Sequence, residues 1–348
     1  MADKKYTIKD IAELAGVSKG TVDRVLHDRG KVSKKAKERV SQVLKEIDYQ
    51  PNLIARSLKN NKTYRISVLI PDAEADHYWI PAEKGINEAE LEFKPFGLIL
   101  DKFYFHPKKK KSFLSKAELA IASKPDAILM APVFHKESLR IFQDCKRNDI
   151  TVASFNNHID NLSLEPFIGQ DLEQSGRLAA SLIDRITKRD SRIAVVHIDE
   201  EAHMRQKEIG FRDYFKEKHK AGKQIVTYSI KNGNNVDLEN EISLFLTSHD
   251  AISAVFVTNS KAYLIVDILK KENKYIKIVG YDLLSENLRF LRRGHIDFLI
   301  HQKPYRQAYQ GVSYLAENLL FDKEIPSQKL LPIDVITEEN VKYYVDQG

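Results

Sequence analysis

The chain has 348 residues, of which 43% are hydrophobic and 30% charged, and a formal net charge of +6. This composition can build substantial cores, which excludes a disordered chain, and the length predicts two or three domains. No run approaches about 18 apolar residues, so no membrane-spanning segment is expected. The start MADKKYTIKD lacks the apolar stretch of a signal peptide, and the single cysteine, Cys145, cannot form an internal disulfide. We therefore expect a cytoplasmic protein.

Two short helices joined by a glycine turn are predicted at the start of the chain. Thr7 can cap a first helix whose apolar residues share one face: Ile8, Ile11, Ala12 and Ala15. Gly16 ends that helix, and Ser18 caps a second helix from Lys19 to about Leu26. This is the spacing of a helix-turn-helix, in which the second helix enters the DNA major groove.

A third helix, capped by Ser33 and running to about Asp48, is predicted to close a small three-helix core. Residues 1–65 hold 16 Lys and Arg against eight Asp and Glu, so the basic excess of the whole chain lies here. Clustered positive charge suits phosphate neutralisation. A solvated basic helix face is the alternative, but helical pattern, turn spacing and charge coincide.

These residues resemble the lactose-repressor (LacI/GalR) family of bacterial transcription factors along the whole stretch. The shared motifs are T-I-x-D-I-A-x-x-A-G-V-S, T-V-x-R-V-L, V-S-x-K-x-K-x-R-V and Y-x-P-N-x-x-A-R-S-L. The resemblance implies base reading by Lys19, Gly20 and Arg24, although Gly20 departs from the larger polar residues often found there. The remaining DNA contacts that it implies are Thr7, Ser18, Thr21, Lys31, Ser33, Asn52, Ala55 and Leu58.

Residues 51–64 are expected to form a hinge between two domains. Asn52 can cap a short segment that ends at Leu58, and such a segment is marginally helical in isolation. In the family this hinge becomes helical on operator DNA and a leucine enters the minor groove, which here implies Leu58. An ordinary interdomain linker is the alternative.

Beyond the hinge, apolar runs alternate with amphipathic segments. Strands are predicted at 66–70, 97–103, 127–130, 151–155, 193–198, 254–257, 276–279 and 298–300. Helices are predicted near 80–91, 112–123, 136–147, 173–188, 203–218, 236–247, 260–272, 285–293 and 305–320. Regular alternation predicts doubly wound parallel α/β sheets, and this length predicts two lobes. The expected fold is thus a small all-α helix-turn-helix headpiece (1–50), the hinge, and a two-lobed α/β domain (65–348). Lobe 1 would take 65–157 and 303–328, and lobe 2 would take 158–302 and 329–348.

Polar residues follow most of these strands, and ligands of open α/β sheets bind at the carboxyl ends of strands. Tyr78 and Trp79 lie in the loop after the first strand, and Phe134 and His135 follow a later one. Amide, carboxylate and guanidinium groups beside aromatic rings suit a sugar. The Lys108–Lys111 run is most simply a solvated loop, with extra DNA contact as an alternative.

Residues 65–335 also resemble the type I periplasmic sugar-binding fold, most closely its ribose-binding subgroup. The matching segments are P-F-I-G-Q-D-L-x-x-S-G-R-L-A-A, A-V-F-V-T-N and I-V-G-Y-D. This resemblance implies that Arg205, Asn259, Asp282 and Gln302 bind sugar hydroxyls, with Tyr78 and Trp79 as the stacking pair. Ordinary structural roles remain open: Trp79, Tyr78 and Phe134 as core aromatics, Asp282 as a helix cap and Arg205 as a surface residue.

Other chemistry finds little support in the sequence. Asp72-x-Glu74-x-Asp76-His77 and the acidic segment from His197 to His203 match neither EF-hand nor H-E-x-x-H spacing. Phosphate-loop and nucleophile-elbow motifs are absent from the sequence. We expect no metal, no cofactor and no catalysis. The predicted protein is a homodimer that binds a pseudo-palindromic operator under control of a small effector. The alternative is a sugar transport receptor, against which the missing signal peptide and the attached headpiece argue.

Overall fold

The computed structural model describes residues 6–26, 30, 32–47, 49, 62–159, 166–199, 201–218, 223–230, 235–248, 252–271 and 274–345. The chain divides into two compact units, Met1–Asn60 and Asn61–Gly348. The predicted hinge contacts Asn52, Ala55 and Leu58, and the predicted contact Lys31, lie outside the described residues. Within the described ranges, no helix is long and apolar enough to cross a membrane.

The first unit contains the three predicted helices: α1 (Ile8–Ala15), α2 (Lys19–Leu26) and α3 (Lys34–Glu46). Thr7 and Asp10 cap α1 reciprocally: the Thr7 amide donates to the Asp10 carboxylate at 2.7 Å, and the Asp10 amide donates to the Thr7 hydroxyl at 3.3 Å. Gly16 ends α1 with a φ of 60°, which glycine adopts without steric cost. The buried core consists of Ile11, Ala12, Ala15, Val22 and Val40.

Gly20 is exposed within α2, and a Cβ there would meet no atom closer than the Ser18 hydroxyl at 3.8 Å. Glycine loses more backbone freedom in a helix than alanine does, so Gly20→Ala should stabilise the headpiece by about 0.5–1 kcal/mol. Amide hydrogen exchange of α2 in the full-length protein measures this gain as slower exchange. Equal or faster exchange would contradict the prediction.

The second unit consists of two lobes, each built on a six-stranded sheet. The strands of lobe 1 are β1 (Tyr64–Pro71), β2 (Leu98–Phe105), β3 (Ala127–Met130), β4 (Thr151–Asn156), β5 (Phe167–Gly169) and β11 (Gln328–Leu330). Its helices are α4 (Ile80–Phe93), α5 (Lys110–Ala122), α6 (His135–Arg147) and α12 (Pro304–Phe321). The strand order β11-β5-β4-β3-β1-β2 is parallel throughout.

Lobe 2 repeats this arrangement. Its strands are β6 (Arg192–Ile198), β7 (Gln224–Ile230), β8 (Ile252–Val257), β9 (Lys277–Tyr281), β10 (Phe298–His301) and β12 (Asp334–Ile336). Its helices are α7 (Leu172–Ile186), α8 (Ala202–Glu217), α9 (Asn235–Ser248), α10 (Ala262–Lys271), α11 (Ser285–Leu291) and α13 (Lys342–Val345). The order is β12-β10-β9-β8-β6-β7, and only β12 runs antiparallel to its neighbour.

Alternate residues of the central strands fill a core on each face of each sheet. In β1, Ile66, Val68 and Ile70 pack with α4 and α12, whereas Leu69 packs on the opposite face with Phe113 of α5. In β6, Val196 and Val195 divide in the same way between the two cores of lobe 2. This two-sided burial explains why the first strand is a continuous apolar run.

The expected lobe boundary at 157 omits β5, and the expected boundary at 328 cuts β11 after its first residue. β5 begins at Phe167 and pairs with β4, and β11 ends at Leu330 and pairs with β5, so both belong to the sheet of lobe 1. Each has only three residues, which is too short to show a periodic pattern. β7 and β12 were also not predicted: β7 is a half-exposed edge strand, and β12 has three residues.

Candidate functional site

A cleft of about 350 Å³ lies between the two lobes, at the carboxyl ends of their strands. Loops after β1, β2, β3 and β4 line it from lobe 1, and loops after β6, β8, β9 and β10 line it from lobe 2. Carboxyl ends of parallel strands meet at one edge of a sheet, so the two sheets present their strand-end side chains to a shared space. Of the predicted residues, Tyr78, Trp79, Asn259, Asp282 and Gln302 line this cleft.

Gln170 ties the connections between the lobes together. The chain passes from lobe 1 to lobe 2 after β5, returns after β10, and crosses again between β11 and β12. The Gln170 amide group donates to the carbonyls of His301, at 3.1 Å, and Pro332, at 2.9 Å, so one buried side chain joins all three crossings.

Asp282 and Gln302 form a buried pair on the lobe 2 wall of the cleft. The backbone amide and side-chain amide of Gln302 donate to the two Asp282 carboxylate oxygens at 3.1 and 2.6 Å. Asp282 has a φ of 64°, and its own amide donates to the carbonyl of Ile300. Burial raises the pKa of Asp282 to about 6, against the opposing effects of Lys207 and Gln302. Asp282 is therefore a hydrogen-bond acceptor whose orientation Gln302 fixes. It does not cap α11, whose N-cap is Leu284.

Lys207 lies behind this pair and was not among the site residues predicted from the sequence. Its buried ammonium group donates to the Thr258 carbonyl at 3.0 Å and to the Gln302 side-chain oxygen at 3.2 Å. It also lies 3.7 Å from the centre of the Tyr281 ring. Burial lowers the pKa of Lys207 to about 8, although the Asp282 charge opposes this shift. Lys207 thus fixes which end of the Gln302 amide faces Asp282.

Asn259 is also held by its surroundings. Its side-chain amide donates to the Ile198 carbonyl at 2.6 Å, and its side-chain oxygen accepts from the Lys261 amide at 3.2 Å. These bonds fix the orientation of the amide at the end of β8. The remaining hydrogen of its NH₂ group and the second lone pair of its oxygen are what it can offer to a ligand.

The aromatic pair lies deeper than a stacking platform would. Trp79 is 4% exposed and packs edge-on against Tyr78 at 5.1 Å and Phe155 at 6.0 Å. The Tyr78 hydroxyl accepts a hydrogen bond from Asn156, and burial raises the pKa of Tyr78 well above its usual value. Both rings belong to the core of lobe 1 and present only limited surface to the cleft.

Three predicted residues lie outside the cleft lining. Phe134 packs against Phe105 and Phe113 in a core of lobe 1, and His135 begins α6 beside it. Arg205 has an exposed side chain on α8. The buried residues of that helix include Met204, Lys207 and Phe211, which share one face at helical spacing. Arg205 lies on a different face of the helix.

An ion pair joins the lobes across the cleft. Lys108, after β2 of lobe 1, lies 3.1 Å from the carboxylate of Asp199, after β6 of lobe 2. Lys261 of lobe 2 donates to the same carboxylate. Burial opposes ionisation of Asp199, but these two lysines outweigh it and lower its pKa. The first residue of the lysine run is thus a cleft residue, although a solvated loop was predicted.

The described headpiece presents the predicted base-reading residues on one exposed helix. Lys19, Gly20 and Arg24 of α2 are exposed, while Val22 is buried on the opposite side. The Ser18 hydroxyl accepts from the Thr21 amide at 3.1 Å, so Ser18 caps α2 as predicted. Ser33 likewise caps α3 through the Ala36 amide at 3.4 Å. An exposed basic helix preceded by a tight turn is the geometry that major-groove readers use.

Comparison with known proteins assigns a family to each of the two units. Residues 66–323 match the periplasmic binding protein domain family, and residues 7–52 match the family of bacterial regulatory proteins of the lacI family. The ribose operon repressor of Lactococcus lactis is 26% identical over 97% of this chain and 98% of its own length. The sucrose operon repressor of Klebsiella pneumoniae is 48% identical over 75 residues, covering 21% of this chain and 22% of that protein.

Among solved structures, a LacI transcriptional regulator from Bacteroides fragilis superposes with a TM-score of 0.76 at 28% identity, covering 81% of this chain and 100% of that chain. A helix-turn-helix headpiece joined to a two-lobed binding-protein domain defines a ligand-controlled, DNA-binding transcription regulator. The chain belongs to the LacI family of such regulators, and its second unit is a periplasmic-binding-protein domain.

Proposed function

We propose that this regulator acts in the cytoplasm as a homodimer on a pseudo-palindromic operator, and that a monosaccharide-like effector in the cleft changes its operator affinity. The observation that carries the effector assignment is the set of held polar groups at the strand ends, Asp282, Gln302 and Asn259. All three line the cleft, and each has hydrogen-bonding capacity beyond the bonds described above, as the recognition of hydroxyl groups requires.

An effector bound between the lobes would contact both of them at once. It would therefore favour one interlobe angle over another, and this angle would set the separation of the two recognition helices in the dimer. The size of the response cannot exceed the difference in effector affinity between the two states. We expect binding without turnover, so the effector is recovered unchanged.

The charges of the cleft argue against an acidic or phosphorylated sugar. Its described lining contains six carboxylates and two lysines. Both lysines already contact Asp199. An anionic ligand would add a further negative charge to these six carboxylates. Neither lysine of the described lining is free to offset that charge, because both contact Asp199.

A thermal-shift screen tests the effector class. Neutral pentoses and hexoses, amino sugars, sugar alcohols, sugar acids and sugar phosphates are compared on the full-length protein. A ligand at about 1,000 times its dissociation constant adds roughly 4 kcal/mol, which is a shift of several degrees. Stabilisation confined to the acids and phosphates would contradict the assignment.

Arg24 should read bases, because a guanidinium on the exposed face of α2 can bind guanine through two hydrogen bonds. We expect Arg24→Ala to cost about 1–3 kcal/mol on the operator and much less on random DNA. Fluorescence anisotropy titrations with both DNAs at one salt concentration measure this difference. Equal losses on the two DNAs would show that Arg24 contacts phosphate only.

A further inference from the structure

The cleft carries an excess of negative charge from both lobes. Its described lining includes six carboxylates: Glu74, Asp76, Asp199, Glu201, Asp282 and Glu286. Against them it has two lysines, Lys108 and Lys261. Only part of this excess is neutralised by the protein itself.

The two lysines are already engaged with one carboxylate. Lys108 lies 3.1 Å from Asp199, and Lys261 donates to the same group. Asp199 consequently has a lowered pKa. These two cations therefore stabilise Asp199 chiefly, and the other carboxylates of the cleft share only their weaker, longer-range field.

The nearby His203 and Lys207 do not make up the difference. His203 lies 3.3 Å from Glu201, but burial lowers the pKa of His203, which favours its neutral form at neutral pH. Lys207 lies behind Gln302 and Tyr281, where its charge acts mainly on Asp282.

Asp76 of lobe 1 and Glu201 of lobe 2 are left facing the same space. Among the described residues, the Asp76 carboxylate has no salt-bridge partner, and it accepts one hydrogen bond, from the Tyr78 amide at 3.1 Å. Burial raises the pKa of Asp76 and the charge of Glu201 adds to this rise, whereas the Tyr78 amide and the charges of Lys261 and Lys108 oppose it without cancelling it. The Asp76 charge in turn helps to raise the pKa of Asp282. A neutral ligand would displace water from these carboxylates without replacing it by a positive charge.

We propose that the effector carries a protonated amine, as an amino sugar does, and that Asp76 and Glu201 bind this amine while Asp282 binds hydroxyl groups. The inference rests on the proposed function, because it names the chemical class of the ligand of the same cleft. A cation held by carboxylates of both lobes draws the lobes together, which links recognition of the amine to the interlobe angle.

Calorimetric titration of the full-length protein tests this inference. The probes are D-glucosamine, D-galactosamine and D-mannosamine, each beside its neutral parent and its N-acetyl derivative, with D-ribose as a neutral pentose. We expect at least one amine to bind about tenfold or more tightly than both of its uncharged counterparts. The double variant Asp76→Asn/Glu201→Gln should lose that preference. Asp190→Asn, at an exposed turn of lobe 2, is the matched control and should keep it.

The outcomes separate the two proposals. If D-ribose, a neutral parent or an N-acetyl derivative binds as tightly as every amine, the proposed function stands and the amine inference is overturned. An amine preference that survives in the double variant overturns the assignment to Asp76 and Glu201. If neither charged nor neutral sugars bind, the sugar effector and the amine inference both fail.

Discussion

Asp282→Ala should lower effector affinity at least about 30-fold and leave operator binding unchanged. Asp282 lines the cleft and is only 3% exposed, and Gln302 donates a hydrogen bond to each of its carboxylate oxygens. Removal of a buried, hydrogen-bonded charge from a binding site typically costs about 2–5 kcal/mol, and each 1.4 kcal/mol is tenfold in affinity. Titration of the purified variant with the effector found by the screen measures the loss.

Asp190→Ala is the matched control, because Asp190 is an exposed aspartate of the same lobe and lies outside the cleft lining. It should bind effector and operator like the parent protein. An effector titration curve that Asp282→Ala leaves unchanged would remove Asp282 from the site. Loss of operator binding in Asp282→Ala would instead indicate a folding defect.

Gly210→Ala should destabilise the second unit by about 3 kcal/mol. A Cβ at Gly210 of α8 would lie 1.9 Å from the Glu173 carbonyl oxygen of α7, and a Cβ at Gly176 of α7 would lie 1.8 Å from the Lys207 carbonyl oxygen of α8. The two helices therefore cross with backbone against backbone. A methyl group must push them apart, and such overpacking typically costs about 1–3 kcal/mol, occasionally more. Denaturant unfolding of the parent protein and of Gly210→Ala measures the difference in their free energies of unfolding.

Glu173→Ala provides the control on the facing helix. The Glu173 side chain is exposed, so its removal keeps the backbone carbonyl that Gly210 approaches and should change stability by less than about 0.5 kcal/mol. If Gly210→Ala matches this control, the close approach of the helices does not limit stability. The same crossing positions Lys207, so Gly210→Ala should also weaken effector binding.

Local sequence signals predicted the headpiece well. Thr7, Ser18 and Ser33 each accept a backbone hydrogen bond at the start of a helix, and Gly16 ends α1 in the left-handed region. Each of these signals acts within a few residues, so no knowledge of the tertiary structure is needed to read it. The same holds for the buried central strands, whose apolar runs are unambiguous.

Strands at the sheet margins could not be predicted in this way. β5, β11 and β12 have three residues each, and their pairing depends on partners far away in the chain. Because β5 and β11 are the last strands of lobe 1 before a crossing, missing them displaced the predicted lobe boundaries. Their formation is decided by tertiary context rather than by local pattern.

The cleft was only partly predictable. The resemblance to sugar-binding proteins predicted Asn259, Asp282 and Gln302, which all follow strands, and Asp76 and Asn156 of the cleft also follow strands in the sequence. Arg205 lies on a face of α8 that does not line the cleft. Successive residues of a helix are rotated by about 100°, and the sequence motif does not show which of them faces the cleft. Lys207 gave no signal, because a lysine in a charged helix ordinarily lies in solvent.

The most direct test of the account is operator affinity measured with and without the effector. A fluorescently labelled operator is titrated with the full-length protein, first alone and then with a saturating concentration of the sugar that gives the largest thermal shift. We predict a change in operator dissociation constant of about 5–150-fold, the range of ordinary allosteric coupling. An effector that stabilises the protein yet leaves the operator dissociation constant unchanged would contradict the proposed control of DNA binding.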